Sequence, residues 1–287
     1  MMNLYEINVS DWTDLFRINQ EFLSQFVFRG QGDPVWDLET SLIRMVDAYH
    51  NKTYDSAKPL EYEVNMLKDF KWRYPSYQLN QNMVPRQNDD IEWLSLMQHY
   101  GAKTRLLDFS YSLYVALYMA LYGDFGKDLV VWAININMLQ RQHISDFQKQ
   151  YEKIPSEEEL NDAIYNNALL ALQKGTTENQ IYIINPKICN ERISRQQGVF
   201  LMPSTITKRF NEVLKGYVLT ESPLSVKKEH IEDISKSQDA GVIKFIIPND
   251  MRYELSSALR QMNISAETMF PGLEGLARSV NKLRKDD

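Results

Sequence analysis

Apolar positions along the chain switch between a helical and a strand period. Trp12, Leu15, Phe16, Ile18, Phe22 and Leu23 recur at helical spacing, and with Ser10 and Asp11 as caps they predict a helix over 10–25. The period then changes. FVFRGQG, from Phe26, is a short strand-like run stopped by two glycines, which places Arg29 at a strand's end, where a side chain can face a cleft. An extended entry from Trp36 leads to a helix that starts near Thr40 or Ser41 and runs to Tyr49. From Pro59 to Trp72 the pattern is amphipathic, with Leu60, Val64, Leu67 and Trp72 as the expected buried face and Pro75 as the stop. QLNQNMVPRQNDD, from Gln78, is loop by composition.

The stretch from Trp93 to Tyr122 concentrates polarity beside core. A helix over 91–100 ends at Gly101, where a left-handed cap is wanted. TRLLDFS reads as a strand, and Ser112 caps an almost wholly apolar helix through Tyr122. DLVVWAIN, from Asp128, predicts a strand buried on both faces. Gln140 to Thr177 resembles a polar insertion with one helix, opened by acids and closed by a lysine and a glycine. QIYII, GVFLMP and GVIKFIIP are further strands, and the residues from Asn190 to Gln197 are a polar connection. ITKRFNEVLKGY and NDMRYELSSALRQMN are helices, and SAETMFPGLEGLARSVNKL is a last one opened by a Phe-Pro-Gly turn. No repeat or Pro/Gly/Ser linker divides the chain, so one α+β domain spanning 1–287, with the insertion, is the expected architecture.

Composition narrows the function classes. The 287 residues are 44% hydrophobic and 24% charged, ordinary for a globular protein. A formal charge of −6 argues against holding nucleic acid by general electrostatic attraction, which needs a basic excess. One cysteine, Cys189, excludes an internal disulfide and favours a reducing compartment; its residue type is more often core than nucleophile. The N-terminus lacks a basic segment followed by an apolar run, and no run approaches the roughly 20 apolar residues of a membrane span. A cytoplasmic protein without a membrane partner is expected.

Catalytic motifs are mostly missing. His50, His99, His143 and His230 are scattered and there is no CxxC, so no metal is expected. The chain has no G-x-S-x-G elbow and no phosphate loop; Gly30 and Gly32 lack the third glycine of a dinucleotide fingerprint. What remains is three polar clusters at strand boundaries: Arg29 in FRGQG, the run QHYGAKTRLLDFS, and ERISRQQGVF. Arg105 and Asp108 read equally well as a buried ion pair or as site residues, and His99 alone reads better as a helix C-terminal cap than as a base.

Phe28-Arg29-Gly30-Gln31, the segment Trp36 to Arg44, WLSLMQHYGAKTRLLDFSYSLYVALYMAL, RISRQQGVF and ETMFPGLEGLA together resemble the FRG-domain family, over about Phe28 to Ala277. The resemblance implies a split mixed or antiparallel β-sheet core flanked by helices, in a layout similar to ADP-ribosyltransferases, with NAD as substrate. It gives Arg29 the dinucleotide, Thr104 to Ser110 the nicotinamide flank, and Gln196 the position near the scissile bond. Catalytic roles are then expected for Arg29, His99, Asp108 and Gln196, and NAD contacts for Arg29, Gly30, Gln31, Thr104, Arg105 and Ser110. It further implies a toxin or antiphage effector that modifies RNA or a protein, with an antitoxin or chaperone partner.

The chemistry has a physical logic. Cleaving the nicotinamide–ribose bond builds positive charge on the sugar, as in glycosidases, so acceptors are wanted beside it. An arginine fork suits the pyrophosphate. Gln196 and Gln197 stand where glutamate is expected in such an enzyme, and an amide can orient a ribose hydroxyl but carries no charge. The competing reading is a non-enzymatic nucleotide or nucleic-acid binding module, for which Tyr100, Phe109, Tyr111, Tyr114, Tyr118 and Tyr122 supply stacking rings; at helical spacing such rings are more often core.

Overall fold

A computed structural model describes residues 3–18, 20–50, 57–77, 84–121, 126–218, 224–226 and 240–280. Its strands are β1 (Asn3–Asn8), β2 (Phe26–Gln31), β3 (Leu107–Ser110), β4 (Leu129–Asn135), β5 (Ile181–Ile184), β6 (Gly198–Pro203), β7 (Leu224–Val226) and β8 (Ala240–Ile247). The helices before β4 are α1 (Asp14–Arg17), α2 (Gln20–Leu23), α3 (Ser41–Tyr49), α4 (Lys58–Arg73), α5 (Asp90–His99) and α6 (Leu113–Ala120). After it come α7 (Ile136–Tyr151), α8 (Glu157–Lys174), α9 (Glu191–Arg195), α10 (Phe210–Val218), α11 (Arg252–Gln261), α12 (Ala266–Met269) and α13 (Leu273–Val280). The class is the expected α+β.

The strands form one mixed sheet in the order β5-β6-β3-β2-β4-β8-β1-β7, parallel only where β1 meets β7 and β8. Its two halves are held together unequally. β2 pairs with β4 through six positions, from Phe26↔Asn135 to Gln31↔Val130, but meets β3 only at Phe28↔Ser110. Beyond that pair the sheet divides. In the division the Asp108 carbonyl accepts a hydrogen bond from the Arg29 guanidinium (Nη1, 2.7 Å).

Alternation along the strands sorts the core. Phe26 and Phe28 of β2 pack with α6 and with Leu129, Val131 and Ala133 of β4. Val27 faces the other side with Val130, Trp132 and the α7 and α10 side chains Leu139 and Phe210. In the outer half, Tyr182, Ile184, Phe200 and Met202 are covered by Leu94 and Met97 of α5 and Ile164 of α8. A β-carbon at Gly30 would lie 1.9 Å from the Ala116 carbonyl oxygen and 2.6 Å from the Ala120 nitrogen, so glycine lets α6 lie directly on β2.

Caps agree with the sequence reading: Thr40 caps α3, Ser112 caps α6, and Gly101 follows α5 at φ +91°. Ser156 and Glu159 form a full capping box on α8. The differences have physical reasons. The helix expected over 10–25 breaks at Ile18, which is extended, into α1 and α2. β1 and the three-residue β7 were not expected from the sequence; they join the sheet by parallel pairing with each other and of β1 with β8. The expected insertion is two helices, the first starting directly from β4. Cys189, expected in the core, is exposed in the loop before α9. The expected helix end at Tyr122, the loop residues 78–83, His230 and the tail beyond Val280 lie outside the described residues.

α4 is turned by about one residue from its expected setting. Leu60, Val64 and Trp72, taken as its buried face, are 40%, 55% and 78% exposed, while Pro59 and Glu63 are buried and Met66, Leu67 and Phe70 pack on the α5–α8 core. The stripe that goes inward is 59, 63, 66, 67 and 70. Glu63 is drawn in because Arg105 lies beneath it.

Candidate functional site

Arg29 sits where β2 and β3 part. Besides the bond to Asp108, its Nε is buried with no hydrogen-bond partner, and no carboxylate lies within ion-pair distance of it among the described residues. Burial pushes its proton affinity below the usual guanidinium value; nearby Asp108 opposes this, and the charge of Arg44 on α3 adds to it. Arg44 is exposed and likewise has no ion pair among the described residues. A desolvated arginine with a second arginine close by makes a local excess of positive charge in a protein of net negative charge.

Asp108 is exposed, and its Oδ1 accepts from Gln98 Nε2 at 2.7 Å. The Gln98 carbonyl in turn accepts from the Thr104 hydroxyl, so the amide's two ends are fixed in opposite senses. Thr104 is fully buried and tied to α3: its amide donates to Ser41 Oγ (3.1 Å), and its carbonyl accepts from Leu42 N (3.1 Å). A continuous chain of hydrogen bonds thus runs from α3 through Thr104, Gln98 and Asp108 to Arg29.

The other end of β3 meets the third polar cluster. Ser110 Oγ donates to the Gln196 carbonyl (2.7 Å) and accepts from Ser112 N (2.9 Å), while Tyr111 N donates to the Gln197 carbonyl (2.9 Å). Gln197 is left-handed at φ +46°, which turns the chain from α9 into β6. The Gln196 side chain donates through Nε2 to the Met269 carbonyl (3.0 Å), and Arg195 donates to the carbonyls of Glu267 and Thr268. The end of α12 therefore has its carbonyls met by the turn that holds Gln196.

Four of the expected site residues come together by contact or register: Arg29 with Asp108, and Ser110, paired with Phe28, with the Gln196 backbone. Thr104 joins them through Gln98. Others have different partners. Arg105 is 2% exposed and forked onto Glu63, with Nε at 2.8 Å and 3.0 Å from the two carboxylate oxygens and Nη2 closer still, and its Nη1 donates to the Ser204 carbonyl. Its partner is Glu63, not Asp108. Gly30 lies under α6, and Gln31 is buried between Trp132 Nε1 (2.8 Å) and the Asp37 carbonyl (3.2 Å). His99 faces Tyr100, with ring centroids 4.9 Å apart; burial and then Arg192 push its proton affinity below the imidazole norm, against Glu274. Those neighbours do not include Arg29 or Asp108.

Sequence reasoning missed Gln98, Glu63 and Arg44. Gln98 was next to His99 in the longest polar run, and only its direction off α5 tells them apart. Glu63 stood one residue from an apolar stripe, a signal that a charge shares a buried helix face.

Among the described residues no three His, Cys, Asp or Glu side chains cluster in a way that could hold a metal ion, and no helix is long and apolar enough to cross a membrane. Residues 24–128 match the family model described as the FRG domain, and the chain carries an FRG domain there. The match covers β2 through α6, and so Arg29, Gln98, Thr104 and Asp108; Gln196 lies beyond it. No curated protein and no solved structure matches the chain.

Proposed function

We propose that the chain is an NAD-consuming enzyme of ADP-ribosyltransferase type, with its site in the division between β2 and β3. The observation that carries this reading is Arg29: a cation with a buried, unpartnered Nε at the point where the sheet opens. A group that cannot shed its charge gains most from an anion, and the pyrophosphate of NAD offers a planar fork two oxygens at once. Arg44 adds charge of the same sign from α3. Asp108 stands beside Arg29 as the carboxylate for charge developing on the ribose, held by Gln98. Gln196 keeps its Oε1 to accept from a ribose hydroxyl, because its Nε2 is taken by Met269. In the reaction the nicotinamide leaves with the electron pair of its bond to the sugar, and the acceptor forms the new bond there and gives up a proton. The acceptor is RNA or a protein, and the setting is a cytoplasmic toxin or defence effector with an antitoxin or chaperone partner; both follow from the family resemblance alone.

The test is nicotinamide release from labelled NAD, with cellular RNA or protein as acceptor, by wild type and by Arg29→Ala. Release by the wild type and its loss in the variant support the reading. A folded wild-type protein that neither releases nicotinamide nor labels an acceptor sinks it.

One observation favours the second reading, a binding module: the third cluster brings an amide rather than a carboxylate, and half of that amide is spent on the α12 carbonyl. NAD bound without turnover is the outcome that selects it.

A further inference from the structure

A recess lies away from Arg29, between α4 and the 3-10 turn after it, one side of α5, and the loop around Ile188. It has a volume of about 790 Å3, within the size range of small-molecule sites. Its walls are aromatic. Phe70 and Tyr74 line it with centroids 5.8 Å apart, Tyr74 stands edge-on to Trp93 at 5.2 Å, and Tyr77 and Tyr100 flank the mouth at 78% and 72% exposure. Two large rings left in water at the entrance to an aromatic recess form an open stacking surface.

Two polar side chains that line it have no hydrogen-bond partner among the described residues. Ser95 and His99, one turn apart on α5, both line the recess; Ser95 is 5% exposed. No hydrogen bond to the Ser95 hydroxyl or to either His99 ring nitrogen occurs among the described residues. Asn190 spends its Oδ1 on the Ile193 amide (2.9 Å), which leaves its NH2 as a donor at the rim. Glu92, by contrast, is fully used: it accepts from Lys187 N and Ile188 N, and so fixes the loop that closes one side. Burial favours neutral His99, so one ring nitrogen donates and the other accepts.

We infer that this recess binds a nucleobase, a planar ring stacked on Tyr100 and Tyr74 and read along its edge by Ser95, His99 and Asn190. Flat aromatic walls with a few alternating donors and acceptors suit a heteroaromatic ring better than a flexible apolar chain, which would leave the Ser95 and His99 groups buried and unpaired. The base belongs either to a free nucleotide or to a single strand of nucleic acid. The site is separate from the division at Arg29 and does not rest on transfer chemistry.

Calorimetric titration of the purified full chain with AMP, CMP, GMP and UMP, with ribose 5-phosphate and with a short single-stranded RNA tests it. At least one base-bearing ligand should bind, and ribose 5-phosphate should not displace it. Tyr100→Ala, at an exposed position, should weaken binding roughly tenfold, the size expected for losing one stacking face, and Tyr77→Ala should weaken it less. Ser95→Leu, which fills the recess, should abolish binding. Tighter binding of the oligomer than of any mononucleotide assigns the base to a strand; the reverse assigns it to a free nucleotide. Failure of every base-bearing ligand overturns the inference, as does binding that is unchanged in both Tyr100→Ala and Ser95→Leu. Because no nicotinamide release is read, either result leaves the transferase proposal to its own test.

Discussion

Arg29 and Arg105 are both arginines with buried guanidinium atoms beside β3, and their surroundings are opposite. Arg105 has a carboxylate fitted to its fork, a backbone carbonyl on the remaining nitrogen, and 2% exposure. Arg29 has one carbonyl, an orphaned Nε and a second arginine nearby. The first arrangement is closed and does its work within the fold. The second is incomplete among the described residues, which is how a group meant for a ligand looks when the protein is considered alone. Residue type is shared and each has buried guanidinium atoms, so the partner set is what separates structural from functional charge.

The largest expected effect comes from breaking the closed pair. Arg105→Met should cost about 3–5 kcal/mol, because it strands the Glu63 carboxylate in the core, and should lower the melting temperature by on the order of 10 °C. Adding Glu63→Met should restore most of that loss in denaturant unfolding.

Glu39 supplies the next effect, as a buried charge that is able to neutralise itself, unlike Arg29. Desolvation raises it from an ordinary 4.5 to about 7, with hydrogen bonds from Thr40 and Phe210 and the charge of Arg209 opposing. Its folded value is the higher one, so the stability it contributes is complete below about 4.5 and is lost as pH rises through about 7. Urea unfolding from pH 4.5 to 8 should show a fall of at most about 3 kcal/mol from this group, flattened in Glu39→Gln.

Gly30→Ala should destabilise by about 1–3 kcal/mol or more, since the added methyl meets α6 backbone that has no room to move. Thermal melting of Gly30→Ala beside Arg29→Ala separates the two halves of one motif. Arg29→Ala should change stability by less than about 1 kcal/mol, in either direction, because it removes a desolvated cation along with one hydrogen bond.

Much of the frame was legible in the sequence because local signals agreed with it. Thr40, Ser112 and Gly101 each mark a helix end, and the run from Leu129 to Asn135 is buried at every position, as its composition demanded. β1 and β7 were not legible, since short parallel pairings depend on partners far away in sequence. α4 shows the limit of periodicity: Leu60, Val64 and Trp72 point outward, while Glu63, paired with Arg105, goes inward with Met66, Leu67 and Phe70. Within the candidate site, sequence order identified Arg29, Asp108 and Ser110 as chemistry-bearing positions at strand boundaries. It had no means of seeing that Glu63 rather than Asp108 pairs with Arg105, or that Gln98 rather than His99 reaches Asp108, because both depend on side-chain direction.

The central claim is that Arg29 lacks a charged partner among the described residues because that partner is an anionic ligand. Isothermal titration of NAD and ADP-ribose into wild type and Arg29→Ala, with melting temperatures recorded on the same samples, tests that directly. The wild type should bind both, with affinity falling as salt rises, and Arg29→Ala should lose at least about tenfold, as expected for a charge-assisted fork, at an essentially unchanged melting temperature. Equal binding by the two proteins, or a variant that loses binding only because it has unfolded, would contradict it.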